Sequence, residues 1–222
     1  MLEIIQRAVA NGQKTLSEYE SSLVIKSAGV EVAPAALAKT RDEAVGEAEK
    51  IGYPVVMKGC SAELAHKTEA GMVKLNVGNS EEAACVFYKL MSKIKGLDGV
   101  LIQKMVNGSR EFVIGLSRDP QFGPCVMFGL GGIFTEALKD VTFRVAPLSK
   151  DDSLEMIDEI KTKKLLGEFR GSPAVDREAL AKALVGVGEL GMKYDSIAEI
   201  DINPLIICGN KPVAVDALVV LR

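Results

Sequence analysis

Two side chains in the first third of the sequence have chemistry suited to phosphate. Lys58 ends an apolar run that begins at Pro54, and His66, the only histidine, follows in a polar loop between Gly59 and Gly71. A lysine ammonium can hold phosphate oxygens, and a histidine that is largely neutral near pH 7 can act as a nucleophile. These residues fit a phosphate site with a nucleophile beside it, and an ordinary surface loop with idle side chains is the alternative.

The carboxyl-terminal sequence predicts a β-hairpin that carries several oxygen ligands. Gly209-Asn210 is typical of a two-residue turn, and the register of that turn places Asn203 directly opposite Asp216. Glu199 and Asp201 share a face with Asn203, because side chains alternate along a strand. Carboxylate and amide oxygens suit Mg2+, whereas the solvated polar face of an ordinary hairpin is the alternative.

Three further stretches could complete a nucleotide site. Gln103 to Val106 precede Asn107-Gly108, where backbone groups of a junction between lobes could bind the edge of an adenine; a plain edge strand is the alternative. Asp140 and Arg144 lie on one face of a predicted strand and could reach phosphate or form a surface ion pair. The glycines of residues 129–132 match neither a Walker A loop nor the dinucleotide fingerprint.

Composition excludes several classes of protein. The net charge of −3 and the 5% aromatic content argue against nucleic-acid binding. No apolar run is long enough to span a membrane, and the amino terminus does not resemble a signal peptide. The four cysteines form no Cys-x-x-Cys pair, which favours reduced thiols in a cytoplasmic protein.

The order of predicted elements indicates an α+β fold with two lobes. Up to Val106 the strands and helices alternate as β-α-β-β-α-β, after two helices at the amino terminus. Asn107-Gly108 is the predicted boundary. It divides the chain into residues 1–106, which include the His66 loop, and residues 107–222, which include the hairpin, with a cleft between the two α+β lobes.

The order of these features resembles the ATP-grasp fold over nearly the whole chain. The sequence is more specifically similar to the nucleotide-binding (beta) subunit of ADP-forming acyl-CoA synthetases, the acetate–CoA ligases (ADP-forming). Four stretches carry this resemblance: Ala65–Thr68, Gly129–Glu136, Asp140–Leu148 and Ile200–Leu205. The first and the last of them separate this family from other ATP-grasp ligases.

The resemblance implies a reaction and a partner. Acyl-CoA, ADP and phosphate would give the free acid, CoA and ATP, reversibly. A CoA-binding alpha subunit, expected in an alpha2beta2 hetero-oligomer, would form the acyl phosphate and pass the phosphoryl group to His66 on a mobile loop, which would carry it to the nucleotide. The acyl group and the preference for ADP or GDP stay open.

The resemblance also implies roles for individual residues. It assigns Lys58 to the nucleotide phosphates, Glu111 to the ribose hydroxyls, and Asn203 and Asp216 to Mg2+. The adenine would contact the hinge at Gln103, Met105 and Val106. Further candidates for the phosphate side are Asp201 and Arg144, and the individual roles of Glu136, Asp140 and Arg144 stay open. Gly59 and Gly71 are the expected hinges of the His66 loop.

Two other readings fit the same motifs. The first is a stand-alone ATP-grasp ligase that joins a carboxylate to an amine or thiol through an acyl phosphate. The second is a nucleotide-sensing subunit without catalysis, or the ATP-grasp module of a fused acyltransferase. The sequence ends at Arg222 directly after its predicted hairpin, which leads us to expect a separate subunit.

Overall fold

The computed structural model describes residues 2–62, 71–94, 96–132, 139–168 and 171–222. His66 and Glu136 lie outside the described residues, so the predictions for them stay predictions.

The described helices and strands, numbered in chain order, have the following bounds: α1 Leu2–Ala10, α2 Glu18–Ser27, β1 Ala35–Ala38, α3 Arg41–Ile51, β2 Val55–Cys60, β3 Val73–Val77, α4 Ser80–Lys93, β4 Gly99–Lys104, β5 Glu111–Asp119, β6 Gly123–Leu130, β7 Val141–Val145, α5 Lys150–Glu159, α6 Arg177–Lys193, β8 Ile197–Cys208, β9 Lys211–Ala214 and β10 Leu218–Leu221. The segment β1 to β4 follows the predicted order β-α-β-β-α-β.

The chain divides into two compact units. The smaller unit consists of Thr15–Glu20 and Ala33–Met105, and the larger unit consists of Met1–Lys14, Ser21–Val32 and Val106–Arg222. This division differs from the single cut predicted after residue 106, because two amino-terminal segments belong with the carboxyl-terminal half.

Hydrogen bonds within the larger unit account for that difference. The amide of Leu221 donates to the carbonyl of Lys14 at 2.7 Å, and the amide of Ala214 donates to the carbonyl of Glu31 at 2.8 Å. The amide of Val219 donates to the Ser21 hydroxyl at 3.1 Å. Such long-range pairings leave no local signal in the sequence.

The smaller unit is an antiparallel sheet covered on one face by α3 and α4. Its strand order is β1-β4-β2-β3, so β1 lies at an edge, which suits a strand that follows Pro34. A capping box at Thr40 and Glu43 starts α3. Met57 and Ile102 are fully buried and face the helices within the core cluster.

The larger unit is a six-stranded antiparallel sheet in the described residues. Five strands run in the order β10-β8-β5-β6-β7, and β9 pairs with β8. One face packs on α5 and α6. Phe112 and Phe128 lie on this covered face and stack with ring centroids 5.6 Å apart.

The other face of the larger sheet carries the polar side chains of β8. Burial alternates along this strand, since Ile200 and Ile202 are fully buried whereas Glu199 is exposed and Asp201 is half-buried. Gly115 of β5 pairs with Asp201, which gives both residues the same face. We call this side, opposite α5 and α6, the open face of the larger sheet.

None of the helices in the described ranges is long and apolar enough to cross a membrane. The four cysteines are free thiols, as the sequence predicted. A cytoplasmic location stays a prediction.

Candidate active site

Lys58 is a buried strand residue rather than the end of a strand. β2 continues to Cys60, and Lys58 pairs with Leu101 on one side and with Val73 on the other. Its side chain is only 8% exposed, and its ammonium donates to Oε1 of Glu18 at 2.6 Å. Lys58 therefore lies inside the smaller unit as half of an ion pair.

Gln103 lies on the same face of the smaller sheet as Lys58. Its register partner is Val56, which is two residues from Lys58 along β2. The residue is 3% exposed. The core cluster that packs on the helices contains Met57 and Ile102 but none of these three residues. The sheet thus buries two polar side chains on the face away from its helices.

Met105 and Val106 follow the end of β4 and form the boundary between the two units. The chain before them is anchored, because the amide of Lys104 donates to the carbonyl of Pro34 at 2.8 Å. The Lys104 ammonium also donates to the carbonyl of Gly52 at 2.8 Å. The backbone of Met105 and Val106 is thus where the sequence predicted a junction, and its contact with adenine stays a prediction.

Glu111 begins β5 and is half-buried. Its carbonyl accepts from the amide of Gly131 at 2.9 Å, and a β-carbon at Gly132 would collide with its carboxylate. The preceding Arg110 is buried and donates to the carbonyls of Leu165, Gly167, Pro173 and Gly209. Hydrogen bonds of the Glu111 carbonyl and of the Arg110 side chain therefore fix the start of β5.

The predicted hairpin register is present in the structure. β9 pairs Cys208 with Lys211 and Leu205 with Ala214, and β10 pairs Asp201 with Leu218. Residues 215–217 separate β9 from β10. Continuing either register through this gap places Asn203 opposite Asp216. The amide of Val215 donates to the carbonyl of Pro204 at 3.3 Å within this gap.

Three carboxylates act on one another at this end of the open face. Burial, followed by the negative charges of Glu199 and Asp216, raises the pKa of Asp201 to about 6. The amide of Ala217 donates to Asp216 Oδ1 at 2.9 Å. Such a group of like charges, of which Asp201 and Asp216 are half-buried, favours a bound cation.

The oxygen ligands that this hairpin offers fit Mg2+ only if a bound phosphate or water supplies further oxygen atoms. Across the described ranges, no three His, Cys, Asp or Glu side chains gather closely enough to hold a metal by themselves. Mg2+ in proteins commonly takes one or two carboxylates together with phosphate oxygens and water. The side chains of Asn203 and Asp216 are of the right chemical type for such a site.

Arg144 is engaged in the surface ion pair that was the alternative to a phosphate contact. Its guanidinium donates to both carboxylate oxygens of Glu159, at 3.0 and 2.5 Å, and lies 3.9 Å from Glu155. Its place on the phosphate side receives no support from this geometry.

Asp140 is buried in a local network. It accepts hydrogen bonds from the amides of Lys161 and Thr162, at 2.7 and 2.8 Å, and from the Thr162 hydroxyl at 2.5 Å. These contacts hold the chain that follows α5, so Asp140 has a structural role that the sequence did not reveal.

The two glycines that bracket the His66 loop differ from each other. Gly59 is paired within β2 and donates to the carbonyl of Met72 at 2.9 Å, so the prediction of a hinge there is wrong. A β-carbon at Gly59 would overlap the end of the Met72 side chain, which would have to shift. Gly71 is exposed, with φ of 63°, and this left-handed backbone is compatible with a hinge.

Glu18 is the site residue that sequence reasoning missed. Its carboxylate is 2% exposed, and its partner Lys58 is forty residues away in the chain. Serine is a common residue type directly before a helix, as Ser17 is here, but no spacing rule connects that helix turn to β2.

Comparisons with known proteins identify the family of this chain. The family model of the ATP-grasp domain matches residues 7–221. The chain is 47% identical to the beta subunit of acetate–CoA ligase (ADP-forming) I from Pyrococcus furiosus, over 99% of this chain and 97% of that subunit.

Two structures of the dinucleotide-forming acetyl-coenzyme A synthetase 1 from Ca. Korarchaeum cryptofilum are also similar. One contains coenzyme A, acetyl-coenzyme A and a phosphorylated phosphohistidine segment; it has a TM-score of 0.90 and 41% identity over 99% of both chains. The other contains coenzyme A and Mg-AMPPCP, with the phosphohistidine segment pointing towards the nucleotide binding site; it has a TM-score of 0.88 and 43% identity over 99% of both chains.

These matches confirm the predicted α+β ATP-grasp fold and the resemblance on which the functional predictions depend. The chain belongs to the ATP-grasp family and, within it, to the beta subunits of the ADP-forming acetate–CoA ligases.

Proposed function

We propose that this chain is the nucleotide-binding subunit of an ADP-forming acyl-CoA synthetase. With a CoA-binding alpha subunit it would convert acyl-CoA, ADP and phosphate to the free acid, CoA and ATP, reversibly. The observation that carries the proposal is the burial of Lys58 and Gln103 on one face of the smaller sheet. Two polar side chains on an otherwise apolar face indicate a ligand with both a charged and a polar part.

The smaller unit would bind the nucleotide at two points. The Lys58 ammonium would hold a phosphate oxygen as a point charge. Gln103 would donate to or accept from the adenine edge, next to the backbone groups of Met105 and Val106. Glu111 of the larger unit would accept hydrogen bonds from the ribose hydroxyls, because an ionised carboxylate is an acceptor only.

The acidic end of the open face would hold Mg2+ through Asn203 and Asp216, with Asp201 beside them. A bound Mg2+ neutralises the charge of the phosphates and holds the reacting groups in position. Without a cation, the carboxylates of Asp201 and Asp216 would repel the anionic phosphates. The donor set therefore makes sense for a metal-bound nucleotide rather than for a free one.

His66 would be the covalent carrier. In the forward direction its imidazole nitrogen attacks phosphorus on the alpha subunit, and the bond from that phosphorus to the donor breaks. The phosphoryl group then leaves His66 as an oxygen of the ADP β-phosphate attacks it, which forms ATP and returns the neutral imidazole. The Korarchaeum relative has a phosphohistidine segment, phosphorylated in one structure and directed towards the nucleotide binding site in another, which supports this assignment.

The partner would be a separate CoA-binding subunit, and the Pyrococcus relative is itself a beta subunit of similar length. An alpha2beta2 assembly is the arrangement we propose for the enzyme, in the cytoplasm. Size-exclusion chromatography with light scattering on the co-expressed subunits measures the mass that this stoichiometry requires.

Radiolabelled phosphate tests the proposal. The chain and a candidate alpha subunit are incubated with acyl-CoA and labelled phosphate in the absence of ADP, and acid-labile label on this chain is measured. We expect label on the wild-type chain, its transfer to ATP on addition of ADP and Mg2+, and no label on His66→Ala.

Other results would redirect the assignment. Label that persists on His66→Ala would remove His66 as the carrier. ATP-dependent joining of a carboxylate to an amine or thiol by this chain alone, without a phosphoenzyme, would identify a stand-alone ligase instead. Nucleotide binding without turnover with any acyl-CoA or partner would identify a sensing subunit.

A further inference from the structure

The ion pair between Lys58 and Glu18 is buried within the smaller unit. The Lys58 ammonium lies 2.6 Å from Glu18 Oε1, and the two side chains are 8% and 2% exposed. A lysine side chain has several rotatable bonds and loses considerable freedom when it is held in one place. A fixed carboxylate at this distance limits the directions in which the ammonium can point.

The start of α2 holds Glu18 in position. The Glu20 carboxylate accepts from the amide and the hydroxyl of Ser17, at 3.2 and 3.0 Å, and the Ser17 hydroxyl accepts from the amide of Glu20 at 3.3 Å. This reciprocal arrangement is a capping box, which fixes the first helical turn. Glu18 lies in that turn, where the helix dipole favours a negative charge.

The energetic cost of burying each charge of the pair depends on the opposite charge of its partner. A buried ammonium without a carboxylate partner is strongly unfavourable, and a lysine that loses its partner can turn its charged end towards solvent. Lys58 is on β2, between β3 and β4, so its backbone position is set by two neighbouring strands. Glu18 is therefore a fixed contact that helps to set the direction of its ammonium.

We propose that Glu18 is a positioning residue that aims the Lys58 ammonium at the nucleotide phosphates. This inference rests on the proposed function, because it requires Lys58 to contact the nucleotide. Glu18 itself touches no substrate. It acts by keeping the ammonium charged and in one direction before the nucleotide arrives, which lowers the entropic cost of binding.

Steady-state kinetics of the complete enzyme, with the alpha subunit, test the proposal. The variants are Glu18→Gln, Glu18→Asp, Lys58→Met and the double variant Glu18→Gln/Lys58→Met. We expect the KM for ADP to rise about tenfold in Glu18→Gln, the equivalent of one charge-assisted hydrogen bond, with kcat changed less than about threefold. Glu18→Asp keeps the charge and is expected to recover part of the loss.

The double variant separates positioning from general damage. It replaces both charged members of the pair with neutral side chains, so neither is left buried opposite a neutral substitute. If Glu18 acts only through Lys58, the double variant has the same KM for ADP as Lys58→Met alone. Glu47→Gln is the matched control: it removes a carboxylate that accepts from the Lys50 ammonium at the same 2.6 Å on the exposed surface of the same unit, and its KM for ADP is expected to stay near the wild-type value.

Each outcome decides a defined question. A tenfold rise of KM in Lys58→Met with no rise in Glu18→Gln, or tighter ADP binding in Glu18→Gln, would overturn the positioning role alone. Additive effects in the double variant would also overturn it. An unchanged KM for ADP in Lys58→Met would instead refute the assignment of Lys58 in the proposed function. If Glu18→Gln fails to fold, Glu18→Asp and the double variant give the same comparison.

Discussion

Replacing Asp140 with alanine is expected to destabilise the larger unit and leave nucleotide use unchanged. The Asp140 carboxylate accepts three hydrogen bonds, two from backbone amides and one from the Thr162 hydroxyl. All three donors belong to Lys161 and Thr162, directly after α5. The residue lies in the stretch that resembles the ATP-grasp family, so a phosphate contact is the competing explanation for it.

The three hydrogen bonds of the Asp140 carboxylate determine how much stability Asp140→Ala is expected to lose. A hydrogen bond to a charged group contributes about 1.5–3 kcal/mol, and truncation leaves buried donors unsatisfied. The three bonds share one carboxylate and are not additive. We therefore expect Asp140→Ala to lower the free energy of unfolding by about 3 kcal/mol, which for a chain of this size corresponds to a fall in Tm of about 6–12 °C.

The pH dependence of stability has a defined sign. Burial opposes ionisation of Asp140, but the hydrogen bonds from Thr162 and Lys161 outweigh it and hold its pKa below the ordinary value of 3.8. A carboxyl whose pKa falls on folding contributes its stability above the unfolded pKa and loses it as pH falls through the folded pKa. The difference in stability between wild type and Asp140→Asn is thus expected to be full at neutral pH and to shrink in acid below 3.8.

Urea unfolding followed by circular dichroism measures these changes, and KM for ADP is measured on the same preparations. Asp151→Ala is the matched control, since Asp151 carries the same charge in the same unit but is exposed; it is expected to change stability by less than about 1 kcal/mol. A normal Tm with a large rise in the KM for ADP in Asp140→Ala would refute the structural explanation and assign Asp140 to the nucleotide.

Three further predictions follow from the larger unit. Gly131→Ala would place a β-carbon 2.5 Å from the carbonyl oxygen of Phe112, so thermal unfolding is expected to show a loss of about 1–3 kcal/mol; wild-type stability would contradict the close approach. Arg144→Ala removes an exposed pair with Glu159 and is expected to cost less than about 1 kcal/mol, with an unchanged KM for ADP; a large rise in KM would restore the phosphate role. Asp216→Asn is expected to raise the Mg2+ concentration for half-maximal ATP formation about tenfold or more, and EDTA to abolish the reaction in wild type; equal Mg2+ dependence in both proteins would remove Asp216 from the site.

Features that depend on neighbours along the chain could be predicted from the sequence. The capping residue Thr40 marks the start of α3, and the Gly209-Asn210 turn sets a register that holds on both sides of Asn203 and Asp216. In both cases the signal and the structure lie within one turn or one hairpin. Local propensity and local geometry are then enough.

Features that depend on long-range packing could not be predicted. Gly59 looks like a hinge in the sequence because it precedes a polar loop, but it lies in a paired strand and donates to the carbonyl of Met72. Lys58 looks like the solvated end of a strand, but Glu18 reaches it from the start of α2. A glycine or a lysine has the same sequence signature in either setting, and only the fold decides.

The position of the acidic end of the open face depends on an irregularity in β8. Between Phe112 and Ile114 the register of β5 against β8 shifts by one, so Asn203 and Pro204 together occupy the place opposite a single residue. Such a bulge changes which face the following side chains take: Asp201, before it, is half-buried on the open face, whereas Leu205, after it, is fully buried. Without the extra residue, the alternation that exposes Asp201 would also turn Leu205 out of the core. The bulge therefore lets one strand supply the core of the larger unit at Leu205 and carry Asp201 on the open face. For this reason we expect the Asn203-Pro204 pair to matter to the proposed Mg2+ site as much as the acidic residues do.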